Sequence, residues 1–249
     1  MDAAAKRTRP IPVFAEMGST NPIFITQNAL DARMQDIATN LATSICMSSG
    51  QFCTSPGIII MPRNKGFIDL LTDELQKQSL IPMLNKNIAS AFSDGIAKAS
   101  TLPNVERIPL NKEDQTATAD RAAALLRTTG ANFAAQPALQ EEIFGPAALI
   151  VECDNERELL TISSMLRGSL TASIHAQEAD ADMVRTLTEQ LQTSTGRIIF
   201  NGFPTGVEVC PSQHHGGPYP SSSSSTNTSV GIDAISRFTT MVAYQNFPD

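Results

Sequence analysis

At roughly 150 residues per domain, a chain of 249 residues makes one large domain or two small ones. Apolar residues are 41% and charged residues 17% of the whole, which excludes a disordered chain, a collagen and a coiled coil. The 18 basic residues are outnumbered by 25 acidic ones for a net charge of -7, and the only basic cluster is Lys6, Arg7 and Arg9, so a phosphate-tracking surface and a nucleic-acid partner are not expected. The cysteines at 46, 53, 153 and 210 form no Cys-x-x-Cys and read as reduced thiols. No apolar run approaches the ~18 residues of a membrane span, and no basic-then-apolar leader opens the chain, so the expected location is the cytoplasm.

In chain order, Met34, Ile37, Ala38, Leu41, Ala42 and Ile45 make one helical stripe, which predicts a helix over 29–48. A loop carrying Cys53 follows Gly50. Gly57 then opens Ile58, Ile59, Ile60 and Met61, closed by Pro62, the pattern of a strand buried on both faces. Asn64 caps a helix with Phe67, Leu70, Leu71 and Leu75 inward, and a second helix turns Ile88, Ala91, Phe92 and Ile96 inward. Residues 119–129 suit either a helix or a strand. A buried strand is expected over 147–151, then a helix capped by Asp154 or Asn155 and running to Gly168. Leu170, Ala172, Ile174 and Ala176 alternate as a strand; a helix with Met183, Val184, Leu187 and Leu191 inward leads to a last strand at 198–200. Strands alternating with helices predict an α/β fold with a mainly parallel sheet and flanking helices. Residues 202–231, rich in Gly, Pro and Ser, read as a long loop, a candidate lid or pocket wall.

The chain has no Gly-x-Gly-x-x-Gly, no phosphate loop, no His-Glu-x-x-His and no Gly-x-Ser-x-Gly. Cys210 with His214 and His215 supplies adjacent ligands that rarely converge, so no metal site is expected. Cys53, between a turn and a buried strand, reads either as a small buried hydrophobe or as a nucleophile facing a cleft, its backbone N–H aimed at a substrate oxygen. Glu16 stands in the stretch Val13-Phe14-Ala15-Glu16-Met17. It reads either as an outward strand residue or as a desolvated general base with a raised pKa.

Read together, three segments resemble the signatures of the NAD(P)-dependent aldehyde dehydrogenases: Phe14-Ala15-Glu16-Met17-Gly18-Ser19 with Asn21-Pro22, Gly50-Gln51-Phe52-Cys53-Thr54, and Glu141-Glu142-Ile143-Phe144-Gly145-Pro146. A fourth, Asn201-Gly202-Phe203-Pro204-Thr205-Gly206-Val207-Glu208-Val209 with His215-Gly216-Gly217-Pro218-Tyr219-Pro220, is similar to the α-ketoglutaric semialdehyde dehydrogenase branch and its NADP-dependent fatty aldehyde relatives. The resemblance covers the whole chain but only the C-terminal, catalytic half of such an enzyme. Most of the Rossmann-type coenzyme domain has no counterpart here, as in a split or truncated enzyme. It implies a remnant of the coenzyme domain at 1–18, a catalytic domain at 19–231, and a C-terminal helix and strand at 232–249 for oligomerisation.

By that resemblance Cys53 is the nucleophile that forms a thiohemiacetal and then a thioester, and Glu16 activates the hydrolytic water. Glu142, Phe144, Met17 and Gly18 meet an NADP or NAD whose binding site is incomplete in this chain. Phe52, Thr54, Phe203 and Val209 line the path of a small-molecule aldehyde. The expected partners are a second copy of the chain or an N-terminal half. Two further expectations stand beside this one: a catalytically inactive folded or oligomerising module, and a cofactor-free thiol hydrolase using Cys53 with Glu16 or a histidine.

Overall fold

In the computed structural model, which describes residues 1–110, 122–206 and 208–248, one sheet organises the chain. In chain order the elements are α1 (Asp2–Ala5), β1 (Ile23–Ile25), α2 (Gln27–Cys46), β2 (Ile58–Pro62), α3 (Lys65–Gln76), α4 (Lys86–Ser100) and β3 (Glu106–Ile108). They continue as β4 (Ala124–Thr129), α5 (Gly130–Ala135), β5 (Ala147–Cys153), α6 (Glu156–Ser163), β6 (Ser169–His175), α7 (Ala181–Leu191) and β7 (Thr195–Phe200). The sheet order is β3-β4-β5-β2-β1-β6-β7, and every pairing is parallel except β3 with β4.

Side-chain alternation along the central strands divides the core in two. Ile23, Ile25, Ile59, Met61, Leu125 and Ile150 face α2 and α3. Phe24, Ile58, Ile60, Leu149, Val151 and Ile174 face α5, α6 and α7. The result is the expected α/β architecture, helices on both faces of a mostly parallel sheet. Side-chain caps begin the helices: Thr26, Asn64, Asn85, Thr129 and Asn155 each accept a backbone N–H three residues on.

Several boundaries depart from the pattern reading. The ambiguous 119–129 segment gives the strand β4, and its residues 119–121 lie outside the described part. Asn155, not Asp154, caps α6, which stops at Ser163 rather than Gly168; a Cβ on Gly168 would lie 2.3 Å from the Tyr219 carbonyl, so the chain there is pressed against another loop. The first helix starts at Gln27 and ends at Cys46. Ala91 faces solvent on α4, where Phe92 and Ile96 carry the burial. β6 is buried along its whole length, because β1 and β7 flank it and α7 covers it, so its alternation does not mark a wet face.

The short strands β1 and β3 and the helix α5 carried no pattern long enough to read. The C-terminal segment is a 3-10 helix, Ile232–Phe238, and residues 239–248 pair with no strand. Among the described residues no helix is long and apolar enough to cross a membrane.

Candidate active site

The segments singled out by sequence converge at the amino-terminal edge of β1, β2, β5 and β6. Asn21 precedes β1, Cys53 and Gly57 precede β2, Gly145 precedes β5, and Ser169 opens β6. The chain leaves α2 through the 3-10 turn Met47–Gly50, where Ser48, Ser49 and Gly50 take φ of 49°, 56° and 67° in succession. A Cβ on Gly50 would sit 2.1 Å from the Gly145 backbone, so the turn before Cys53 and the loop carrying Glu142 and Phe144 touch main chain to main chain. A tight turn with Ser55 N–H on the Phe52 carbonyl then presents Cys53.

The Cys53 thiol is partly buried, and its Sγ lies 3.3 Å from Nε2 of His215. The same Nε2 lies 2.9 Å from Oε2 of Glu16, whose carboxylate also meets the Cys53 thiol and, at 3.4 Å, the Ser229 hydroxyl. Burial and the nearby Glu16 carboxylate push the Cys53 thiol up, while the N–H groups of Cys53 and Thr54 donate to the sulfur and pull it down. The carboxyl end of α2, not its amino end, leads toward this loop, so the α2 dipole does not favour the thiolate.

Glu16 is not enclosed by its apolar neighbours, as one reading of the sequence had it. Its side chain is 33% exposed and reaches His215, while its backbone forms a bridge with Ser222 and so draws the 202–231 loop onto the site. His215, which the sequence reading set aside as one of two adjacent histidines, stands between Cys53 and Glu16. Its place, 162 residues from Cys53, is fixed by loop packing, with the Thr228 hydroxyl accepting its N–H at 2.8 Å.

Beside this trio lies a pocket whose wall includes Ser19, Phe52, Lys98, Leu126, Glu142 and Phe144. Glu142 stands at its lip; burial raises its pKa and the Ser19 N–H opposes that rise. A Cβ on Gly18 would lie 3.0 Å from Oε2 of Glu142, so the absent side chain leaves this carboxylate room. Thr54 is buried, and Phe52 is half-exposed at the pocket. Met17 is half-exposed, with its N–H on the Ser221 carbonyl. Two expected wall residues are placed otherwise. Phe203 stacks on His175 with ring centres 4.7 Å apart, and Val209 is 90% exposed.

Residues 129–242 match the model of the aldehyde dehydrogenase family. The chain carries an aldehyde dehydrogenase family domain. It is 40% identical over 249 residues to α-ketoglutaric semialdehyde dehydrogenase 2 of Azospirillum brasilense, covering 99% of this chain and 47% of the relative. It is 37% identical to α-ketoglutaric semialdehyde dehydrogenase of Acinetobacter baylyi, covering 98% and 47%. Betaine aldehyde dehydrogenase from Staphylococcus aureus, solved in complex with NAD+, superposes with a TM-score of 0.75 at 14% identity, over 95% of this chain and 47% of that one, a likeness of fold. The chain spans about half the length of the curated relatives it matches.

The pocket sets a carboxylate, Glu142, against a largely apolar wall. A carboxylate accepts two hydrogen bonds from a vicinal diol, and Phe144 with the apolar wall suits a flat ring.

Proposed function

We propose that the chain supplies the catalytic half of an NAD(P)-dependent oxidation of an aldehyde to its carboxylic acid. The observation that supports this most directly is the line Cys53 Sγ, His215 Nε2, Glu16 Oε2, with steps of 3.3 and 2.9 Å, beside a pocket lipped by Glu142. A thiol held up by burial needs a base at hand, and His215 takes its proton while Glu16 steadies the resulting imidazolium. The Cys53 sulfur then bonds to the aldehyde carbon and the carbonyl pair moves to oxygen, where the loop N–H groups of Cys53 and Thr54 face developing charge. Glu142 and Phe144, with Met17 and Gly18 beside them, would hold a nicotinamide, which would supply the acceptor for the hydrogen and electron pair that leave that carbon. Glu16 draws a proton from water, the oxygen bonds to the thioester carbon, and the C–S bond breaks to release the acid.

The relatives' names point to an aldehyde that carries carboxylate, such as α-ketoglutaric semialdehyde. Arg197 supports that substrate class. It is half-buried near Cys53, bound to the carbonyls of Pro204 and Gly206, and no carboxylate pairs with it among the described residues. We place residues 1–18 with a coenzyme domain, 19–231 as the catalytic unit, and 232–249, with Ile235, Phe238 and Met241 exposed, as an association segment for a second copy or an N-terminal half. Cysteines without a disulfide among the described residues suit the cytoplasm.

The test is titration with NADP and NAD, followed by absorbance at 340 nm with a carboxylated and a plain aliphatic aldehyde, with and without an added coenzyme-binding half. Reduction that needs that half and is abolished in Cys53→Ser is the expected result. Coenzyme-independent cleavage of an activated ester through Cys53 would instead make the chain a thiol hydrolase, a reading that the Cys53–His215 contact also suits. Absence of both, in folded protein, would leave a non-catalytic module.

A further inference from the structure

Glu16, Cys53 and His215 place a carboxylate oxygen, a sulfur and an imidazole nitrogen within 4.8 Å of one another. His215 Nε2 carries at most one hydrogen, yet it stands 2.9 Å from Glu16 Oε2 and 3.3 Å from Cys53 Sγ. Once the Cys53 thiol and His215 Nε2 give up their protons, the three groups offer three lone pairs at this spacing.

A divalent ion resolves that arrangement. In a tetrahedral zinc site, metal–ligand lengths near 2.0 to 2.3 Å put neighbouring ligand atoms roughly 3.3 to 3.6 Å apart. The trio is within a few tenths of an ångström of this on both of its His215 contacts. We propose that Cys53, His215 and Glu16 bind a thiophilic divalent cation of the zinc class, with the fourth position open to water, and that its binding reversibly blocks the Cys53 sulfur. On binding, the Cys53 thiol and the ion exchange a proton for a metal–sulfur bond, the proton goes to buffer, and no electron moves. Thiolate selects zinc over magnesium or calcium, which take oxygen ligands. The partly exposed Glu16 gives the ion a way in.

Cobalt(II) is the probe, because its bond to thiolate gives an intense near-ultraviolet band. The full chain should develop that band with one equivalent of cobalt and lose it to added zinc. The band should vanish in Cys53→Ser and His215→Ala and persist in Cys210→Ser. Glu16→Gln should weaken binding by at least about the 10- to 100-fold that loss of an outer-shell partner costs. In the unsubstituted chain, zinc at about 100 times its Kd should slow iodoacetamide modification of Cys53 about 100-fold by mass action, whereas magnesium should not. This arm decides the matter even if a variant fails to fold. A cobalt–thiolate band that survives in Cys53→Ser, or alkylation of Cys53 indifferent to saturating zinc, overturns the site. None of these readouts depends on aldehyde turnover.

Discussion

The side chain of Asn21 ties the Cys53 loop to the sheet. It is fully buried, its Nδ2 donates to the carbonyls of Cys53 and Ser55 at 2.9 Å each, and its Oδ1 accepts from the Ser19 hydroxyl and from the N–H and hydroxyl of Thr171. Asn21→Ala strands these buried partners and should cost about 3 kcal/mol in urea denaturation, with Cys53 alkylated at a changed rate; an unchanged stability would sink the clasp. Glu16 acts on Cys53 by charge. Because its carboxylate holds the thiol up, Glu16→Gln should lower the pH midpoint of Cys53 alkylation, and a midpoint that stays put removes Glu16 from the sulfur's surroundings. In the reconstituted enzyme the same change should spare the first burst of reduced coenzyme while slowing thioester hydrolysis by about 100- to 10,000-fold. Equal loss of burst and steady state would make Glu16 a binding residue.

Loops rather than helices or strands align the site, and glycine permits their closest approach. An alanine at Gly50 would face both a φ of 67° and a backbone atom 2.1 Å away, so Gly50→Ala should cost about 3 kcal/mol from strain and crowding. Gly206, with nothing within 4 Å of a Cβ, is the matched control, whose alanine variant should unfold at nearly the unsubstituted urea midpoint. These loops also mark the limit of what the sequence discloses. β2 and β5 were legible because strands buried on both faces are unbroken apolar runs, and α2, α3 and α7 because their stripes repeat over several turns. β1 and β3 are three residues each, too short for any period to register. Cys53 and Glu16 stood out first by their positions and Glu142 by the family resemblance, and neither kind of reading fixes an environment. Hence Glu16, expected among apolar neighbours, is exposed, and Phe203, expected on a tunnel wall, is taken up by His175. His215 escaped because it is brought in by a loop without periodicity, across a bridge between Glu16 and Ser222 that no spacing rule anticipates.

At the scale of the whole molecule, the most consequential buried charge is one that the fold suppresses. His175 ends β6 at 1% exposure, its carbonyl accepting the Thr26 N–H and its ring stacked on Phe203. Neither ring nitrogen meets a partner of good geometry, and the Gly202 backbone gives only weak support. Burial first, and Arg33 second, pull its pKa from 6.5 down to about 4, against smaller opposing effects from Gly202 and Asp36. The native state therefore keeps His175 neutral where the unfolded chain would take up a proton. Its contribution is present in full above the unfolded pKa and is lost as pH falls through the interval from 6.5 to about 4, a change of about 3 kcal/mol. Glu142 works in the opposite sense, since a carboxyl raised by burial binds its proton more readily when folded and adds stability as pH falls through its raised value. Urea denaturation at intervals between pH 7 and pH 4 should thus show stability falling with acid, and His175→Leu should flatten that fall while Glu142→Gln steepens it. If the unsubstituted chain and His175→Leu give parallel profiles, the acid sensitivity lies elsewhere and the neutral His175 has no part in it.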